Sequence, residues 1–265
     1  MRLLNVNTRQ LEEFFGDAIP LYAILSHTWG KEEVTLQDLS REGHQQKQGY
    51  AKIEGCCQQA IEDDLLWVWI DTCCIDKTSS AELSEAINSM FRWYKNSKVC
   101  YAYLQDVPSG SDIFEQGSAF RQSRWFTRGW TLQELLAPRL VQFYDSNWMM
   151  IFSTDPGGHG YEHATKLIPL LCDTTSIDKE FFEYRSRIGS ASAARKVSWM
   201  ARRSTTRVED EAYCLLGLLD INMPLLYGEG TKAFIRLQEA IPEGGSGIPA
   251  NIEDTHYRHW TWLAH

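Results

Sequence analysis

No stretch of this sequence approaches the ~18 consecutive apolar residues that a membrane-crossing helix requires, which argues against a transmembrane span. Positive charge is also in short supply. Lys and Arg number 26 against 35 Asp and Glu, a formal net charge of −9. With no long basic run as a local exception, nucleic acid and anionic lipid are poor partners. The motifs HExxH, GxSxG, GxGxxG and GxxxxGKS/T are missing, and with them the anchors of zinc protease, serine hydrolase, Rossmann dehydrogenase and P-loop assignments. GEGTK at Gly228 to Lys232 holds only a fragment of the last, with no clear strand before it. Internal repeats are absent too. The N-terminal MRLLNVNTRQLEEFF has no continuous apolar core and carries Glu12 and Glu13, so it does not read as a signal peptide and a cytoplasmic protein is expected.

Cysteine is present but not as a framework. The seven cysteines are an odd number, and four of them form the adjacent pairs Cys56-Cys57 and Cys73-Cys74. That is neither a CxxC zinc spacing nor a secreted disulfide pattern, so free thiols used in packing, in a reducing compartment, are expected and no metal site is. What the chain does have is apolar bulk. Its 265 residues are 43% hydrophobic and 23% charged, enough to bury an ample core without staples. Ten Trp and eleven Tyr supply flat rings for cores or ligand pockets.

The first half alternates strand-like and helix-like segments. Tyr22 to Ser26 (YAILS) and Leu65 to Ile70 (LLWVWI) are short apolar runs of the kind buried on both faces of a sheet. Between them Ile53, Cys56, Cys57, Ala60 and Ile61 recur at helical spacing, which predicts an amphipathic helix from about Ala51 to Asp63. Ser79 with Glu82 makes a capping-box pattern ahead of Leu83, Ile87, Met90, Phe91 and Tyr94, the apolar face of a second helix. Val99 to Leu104 and Leu140 to Tyr144 complete four strands, and RGWTLQELLAP, Arg128 to Pro138, forms a helix between them that stops at the proline. Such alternation predicts a mainly parallel, doubly wound α/β sheet over residues 1–150. Residues 151–242 carry helical patterning around Glu162 to Leu171, Ala191 to Arg203, Glu209 to Leu218 and Lys232 to Ala240, a helical extension packed on the sheet. EGGSG at Glu243 to Gly247 reads as a linker opening a tail over 243–265.

In an open parallel sheet the ligand crevice lies beyond the carboxyl ends of the strands. That rule nominates Ser26, His27, Thr28, Trp29 and Gly30 after the first strand, and Asp71, Thr72, Cys73, Cys74 and Asp76, with Lys77 close behind, after the second. Each has a plainer role open to it. Ser26 and His27 can cap a loop, Asp71 can fix one, and the cysteine pairs can simply pack, since no partner base is assignable to them. In RGWTLQELLAP, Leu132, Leu135 and Leu136 form a core stripe at i, i+3, i+4, while Trp130 and Glu134 share another face. Arg128 and Glu134, at i, i+6, do not share one, which weakens a structural ion pair. Periodicity leaves Glu134 open between a solvated position and a site residue.

Three blocks in order, YAILSHTWG (Tyr22 to Gly30), WIDTCCIDK (Trp69 to Lys77) and RGWTLQELLAP, resemble the fungal heterokaryon incompatibility (HET) domain. Arg203 to Ile241 resembles the stretch that follows it in fungal vegetative incompatibility proteins, some of which continue into a nucleotide-binding oligomerisation module. The resemblance implies non-self recognition ending in cell death, homo-oligomerisation for activity and an upstream NLR-like regulator. Through that family the chain is similar to Toll/interleukin-1 receptor (TIR) domains, which implies a flavodoxin-like sheet and cleavage of NAD between nicotinamide and ribose. NAD is then a substrate and no cofactor is called for. The TIR catalytic glutamate lies in a W-C-x-x-E-L type stretch; Trp130, Glu134 and Leu135 match it, with Thr131 in place of the cysteine.

A carboxylate beside the ribose stabilises the oxocarbenium-like charge of N-glycosidic cleavage, the role this resemblance gives Glu134. Trp130 or Trp29 would stack on a ring, and Ser26, His27, Gly30 and Asp71 would contact sugar or phosphates. Two other readings stay open: a non-enzymatic TIR-like adaptor that kills through homotypic contacts, and a nucleoside deoxyribosyltransferase or nucleotide hydrolase.

Overall fold

The computed structural model describes residues 1–154 and 161–242; the expected linker and tail, 243–265, lie outside the described residues. Seven strands form one sheet: β1 (Arg2–Asn5), β2 (Leu11–Glu13), β3 (Ala23–His27), β4 (Trp67–Trp69), β5 (Val99–Tyr103), β6 (Val141–Tyr144) and β7 (Met150–Ser153). They lie in the order β2-β1-β4-β3-β5-β6-β7. The helices are α1 (Leu36–Leu39), α2 (Tyr50–Glu62), α3 (Asp71–Cys74), α4 (Ser80–Asn96), α5 (Thr131–Leu136), α6 (Tyr161–Thr175), α7 (Lys179–Glu183), α8 (Ala193–Ser198), α9 (Asp210–Tyr213), α10 (Leu216–Leu219) and α11 (Lys232–Ala240). The four strands expected from sequence are the parallel centre, β4-β3-β5-β6. Their chain order across the sheet, second-first-third-fourth, is that of a flavodoxin-like α/β fold.

The three remaining strands were not foreseen. β1 and β2 close one side of the sheet and β7 the other, all antiparallel. They are only three or four residues long, so their alternation is too brief to read. The central strands announce themselves better because all five residues of β3 and all five of β5 are buried, as expected of strands covered on both sides.

Local chemistry explains the helices around this centre. In α2 the residues Lys52, Ile53, Cys56, Cys57 and Ala60 form the buried stripe. Ser79 caps α4 by accepting from the Glu82 N–H, and Ala86, Ile87, Met90 and Tyr94 turn inward. The Ala191 to Arg203 pattern yields only the two short turns of α8, and Glu209 to Leu218 splits into α9 and α10. Helix α10 packs against α4 because residue 217 is glycine: a Cβ there would lie 2.0 Å from Phe91 Cβ. All seven cysteines are free. Burial pushes the Cys56, Cys73 and Cys100 thiols up, with a Cys74 hydrogen bond the leading cause at Cys73, the environment of packed thiols.

Pleating separates what each strand shows to the two faces. In register, Ile24 pairs with Cys100, Leu25 with Tyr101 and Ser26 with Ala102. Tyr101 donates to Asp63 at the end of α2, while Cys100 Sγ reaches the Glu134 carbonyl of α5. Ser26 and Ala102 therefore share the α5 face. Two such small side chains leave room for larger groups beneath that helix.

Candidate functional site

The α5 face at the end of β3 holds a buried polar cell. Ser26, fully buried, donates through Oγ to Glu134 Oε2 and accepts from Trp125 Nε1 at 2.8 Å. Trp125 comes from a single 3-10 turn, Arg124–Thr127. Tyr94 of α4 donates to the Leu25 carbonyl at 2.9 Å and stands beside the same carboxyl. Glu134 is only 8% exposed. Burial drives its carboxyl up, the Ser26 hydrogen bond opposes that, the nearby Asp71 charge adds to it, and Tyr94 and the Arg203 charge oppose it again; the balance is pushed up to about 8. At neutral pH the group is mostly a carboxylic acid. A neutral acid in a buried cell avoids the desolvation cost of a buried charge.

A second carboxylate sits one strand away with the opposite tuning. Asp71 begins α3 just after β4. His27, next to Ser26 and so on the other face of the strand, places Nε2 3.1 Å from Asp71 Oδ1. Because a carboxylate only accepts, that ring nitrogen carries the proton; Nδ1 is buried with no protein partner. Trp29 Nε1 donates to Asp71 Oδ2 at 2.9 Å, and Lys77 Nζ lies 3.4 Å from the same oxygen. Burial works against the Asp71 charge, but the Lys77 ammonium and the His27 and Trp29 donors outweigh it and hold the carboxyl well below the usual range. Lys77 also sits over the Trp29 ring, 3.4 Å from its centre, and Arg124 Nη2 donates to the Trp29 carbonyl at 3.3 Å. The turn that delivers Trp125 to the inner cell thus ties down the rim as well.

Of the seven residues to which the resemblance gives a site role, Ser26, His27, Trp29, Asp71 and Glu134 fall into these two adjoining clusters. Gly30 is in the same loop, but its N–H is already taken by Glu33 Oε1 at 2.6 Å. Trp130 is half-buried at the start of α5 and lies beside the Asp210 carboxyl; the indole that reaches Glu134, through Ser26, is Trp125. Sequence periodicity put Tyr94 on an inward face but gave no sign of Trp125, and none of Arg203, whose contacts span more than seventy positions.

Among the described residues no cluster of three or more His, Cys, Asp or Glu could hold a metal ion, and no helix is long and apolar enough to cross a membrane. A hollow of about 430 Å³ opens beyond β5 and β6, between Val107–Phe114 and Met149–Ile151. It contains none of the nominated residues, and the Asp145 carboxylate in its wall is occupied by the Asn147 and Met149 N–H groups.

Residues 22–116 match the family described as heterokaryon incompatibility protein (HET). That span contains the rim and Ser26 but ends before Glu134. Over 258 residues, 95% of the chain, it is 45% identical to vegetative incompatibility protein HET-E-1 of Podospora anserina. The chain spans 18% of the length of that curated relative. No solved structure matches it.

Proposed function

The chain is a heterokaryon incompatibility (HET) domain protein, and from this we propose that it is a cytoplasmic cell-death effector of vegetative incompatibility, a form of non-self recognition and innate immunity. Its finer chemistry, in our reading, is hydrolysis of NAD at the nicotinamide–ribose bond, with Glu134 as the catalytic group. The observation that carries this is the Ser26–Glu134–Trp125 cell at the strand ends, a lone carboxyl held by fixed donors in a dry, aromatic-walled place. In the reaction the C1′–N bond breaks with its electron pair passing to the ring nitrogen, nicotinamide leaves neutral, and water adds to C1′ with loss of a proton. No strong acid is needed for such a leaving group. What is needed is negative charge near the sugar as it becomes cationic.

The positively charged ring of the substrate also sets the protonation state. NAD carries its positive charge on the nicotinamide ring, and an approaching cation favours ionisation of Glu134, so the carboxylate forms as the substrate arrives. Trp29, 48% exposed, offers the stacking surface. Its face holds the Lys77 ammonium, a contact worth about 0.5–1 kcal/mol where exposed, which a cationic ring replaces at little cost. Assembly of several copies and control by an NLR-like regulator complete the proposal. Purified protein at high concentration, given NAD and followed for nicotinamide release, tests it: release by wild type and its loss in Glu134→Gln and Glu134→Ala are expected. No release by a folded wild-type protein would sink the enzymatic reading.

Two observations favour a non-enzymatic second reading, a TIR-like homotypic adaptor. All six α5 residues are buried, which gives Glu134 a structural use. Leu21 and Leu66 stand 67% and 57% exposed just before β3 and β4, an apolar pair for contact with another copy. Killing that survives Glu134→Gln but is lost in Leu21→Asp with Leu66→Asp selects that reading.

A further inference from the structure

Helix α5 has six residues, too few to hold its own shape, since a helix leaves its first four N–H and last four C=O groups without internal partners. Arginines from the later helical part take hold of both its ends. On the N-terminal side Arg203 Nη1 donates to the Arg128 carbonyl and to Thr131 Oγ1, both at 2.8 Å. The next residue extends the contact through backbone. Ser204 forms a parallel bridge with Arg128, its N–H donating to the Thr127 carbonyl at 2.7 Å and its carbonyl accepting from Gly129 at 2.9 Å. Glycine at 129 permits this approach, because a Cβ would lie 2.5 Å from Thr205 Cγ2 and 3.1 Å from Met200 Cε.

On the C-terminal side Arg185 Nη1 donates to the Leu135 and Leu136 carbonyls at 2.6 and 3.1 Å, where a helix end leaves acceptors open. Burial lowers both guanidiniums only to about 10, so they stay cationic at neutral pH. Arg203 is 4% exposed, and Nη2 of each arginine is buried without a protein partner. Burying a charge with part of its hydrogen bonding unmet is costly, and no stripe of apolar side chains would direct a helix end in this way.

We propose that Arg203 and Arg185 are positioning residues that hold α5 by its two ends and fix Glu134 against Ser26, so that the segment 161–242 completes the site. Its consequence for catalysis rests on the NAD reading above; the positioning itself does not. The two grips differ in one respect. Arg203 also bears its charge on Glu134, whereas Arg185 touches only carbonyls.

The test uses the full chain and no substrate. Amide hydrogen exchange of α5 is compared with that of β3 in wild type, Arg203→Lys, Arg203→Met, Arg185→Met and the control Arg187→Met, which breaks an exposed pair with Glu180. The Glu134 carboxyl is titrated by carbon-13 NMR, its signal assigned by its loss in Glu134→Gln. Exchange in α5 should rise at least tenfold in Arg203→Lys and Arg185→Met while β3 is unchanged, and the control should match wild type. The Glu134 midpoint should move up by about one pH unit in Arg203→Met and stay in place in Arg185→Met. If Arg203→Met does not fold, Arg203→Lys decides through exchange alone, since an ammonium cannot reproduce the planar fork. Equal acceleration of α5 and β3, or none in either, overturns the proposal. Wild-type nicotinamide release is scored separately: released α5 without NAD turnover rejects the reaction and leaves the positioning intact.

Discussion

Glu134 and Asp71 end up near each other beyond β3 and β4, and the molecule treats them in opposite ways. Glu134 is packed under α5 with a serine, a phenol and the edge of an indole as neighbours, and its carboxyl rises to about 8. Asp71 meets an ammonium, an imidazole N–H and an indole N–H, and its carboxyl falls below the ordinary range. Burial works against the charge of both. The difference is the count of full positive charge and charge-directed donors each one faces. Carboxyls whose environments drive them apart divide roles between them: Asp71 is a permanent anion that organises the rim, Glu134 an acid whose charge is held in reserve.

The two clusters should fail differently when broken. Trp125→Ala removes a fully buried indole and the donor to Ser26, and is expected to cost about 3–5 kcal/mol in denaturant unfolding, whereas Trp29→Ala, on the exposed rim, should cost under ~1 kcal/mol. Under the proposed NAD cleavage, the contrast in turnover is set by charge at the sugar. Glu134→Gln should lower nicotinamide release about 10²–10³-fold, and Asp71→Asn, which loosens only the rim, about tenfold.

The pH dependence of stability separates the pair without any substrate. Between the ordinary 4.5 of a glutamate and about 8 the unfolded chain loses the Glu134 proton while the folded chain keeps it. Stability from this group is therefore complete below 4.5 and declines as pH rises, by roughly 1.4 kcal/mol per pH unit, then levels off above about 8. Glu134→Gln should flatten that decline in melts run across the range. Asp71 contributes with the opposite sign: its share is present above the ordinary 3.8 and is lost as pH falls below it, so Asp71→Asn should lower stability by a constant amount at neutral pH and flatten the slope of the acid limb. Smallest of all, Lys77→Ala should change stability by less than ~1 kcal/mol while moving the Asp71 carboxyl back toward its ordinary range in an NMR titration.

The parallel centre was legible because β3 and β5 are continuous apolar runs, a pattern that burial on two faces imposes on sequence. The rim was legible for a related reason: strand ends are where polar residues interrupt such runs, which marks Ser26, His27 and Asp71. The inner cell was legible only in part. Glu134 stood out through a resemblance, not through periodicity, because in a helix buried on every side the apolar stripe no longer distinguishes a face. Trp125 sits in a single turn with no period to read, and Arg203 reaches its partners across a separation that no local pattern encodes. Trp130, one helical turn before Glu134, lies beside the Asp210 carboxyl of the later helical part, a partner that a helical wheel does not show.

The most direct test of Glu134 as the group on which the chemistry turns is the pH profile of kcat/KM for nicotinamide release, from pH 5 to 9.5, at high protein concentration. Since kcat/KM reports the free enzyme, release should climb about tenfold per pH unit and level off near 8, where the empty-site carboxyl ionises. A rate that is flat across that range, or one that falls as pH rises, would contradict the account.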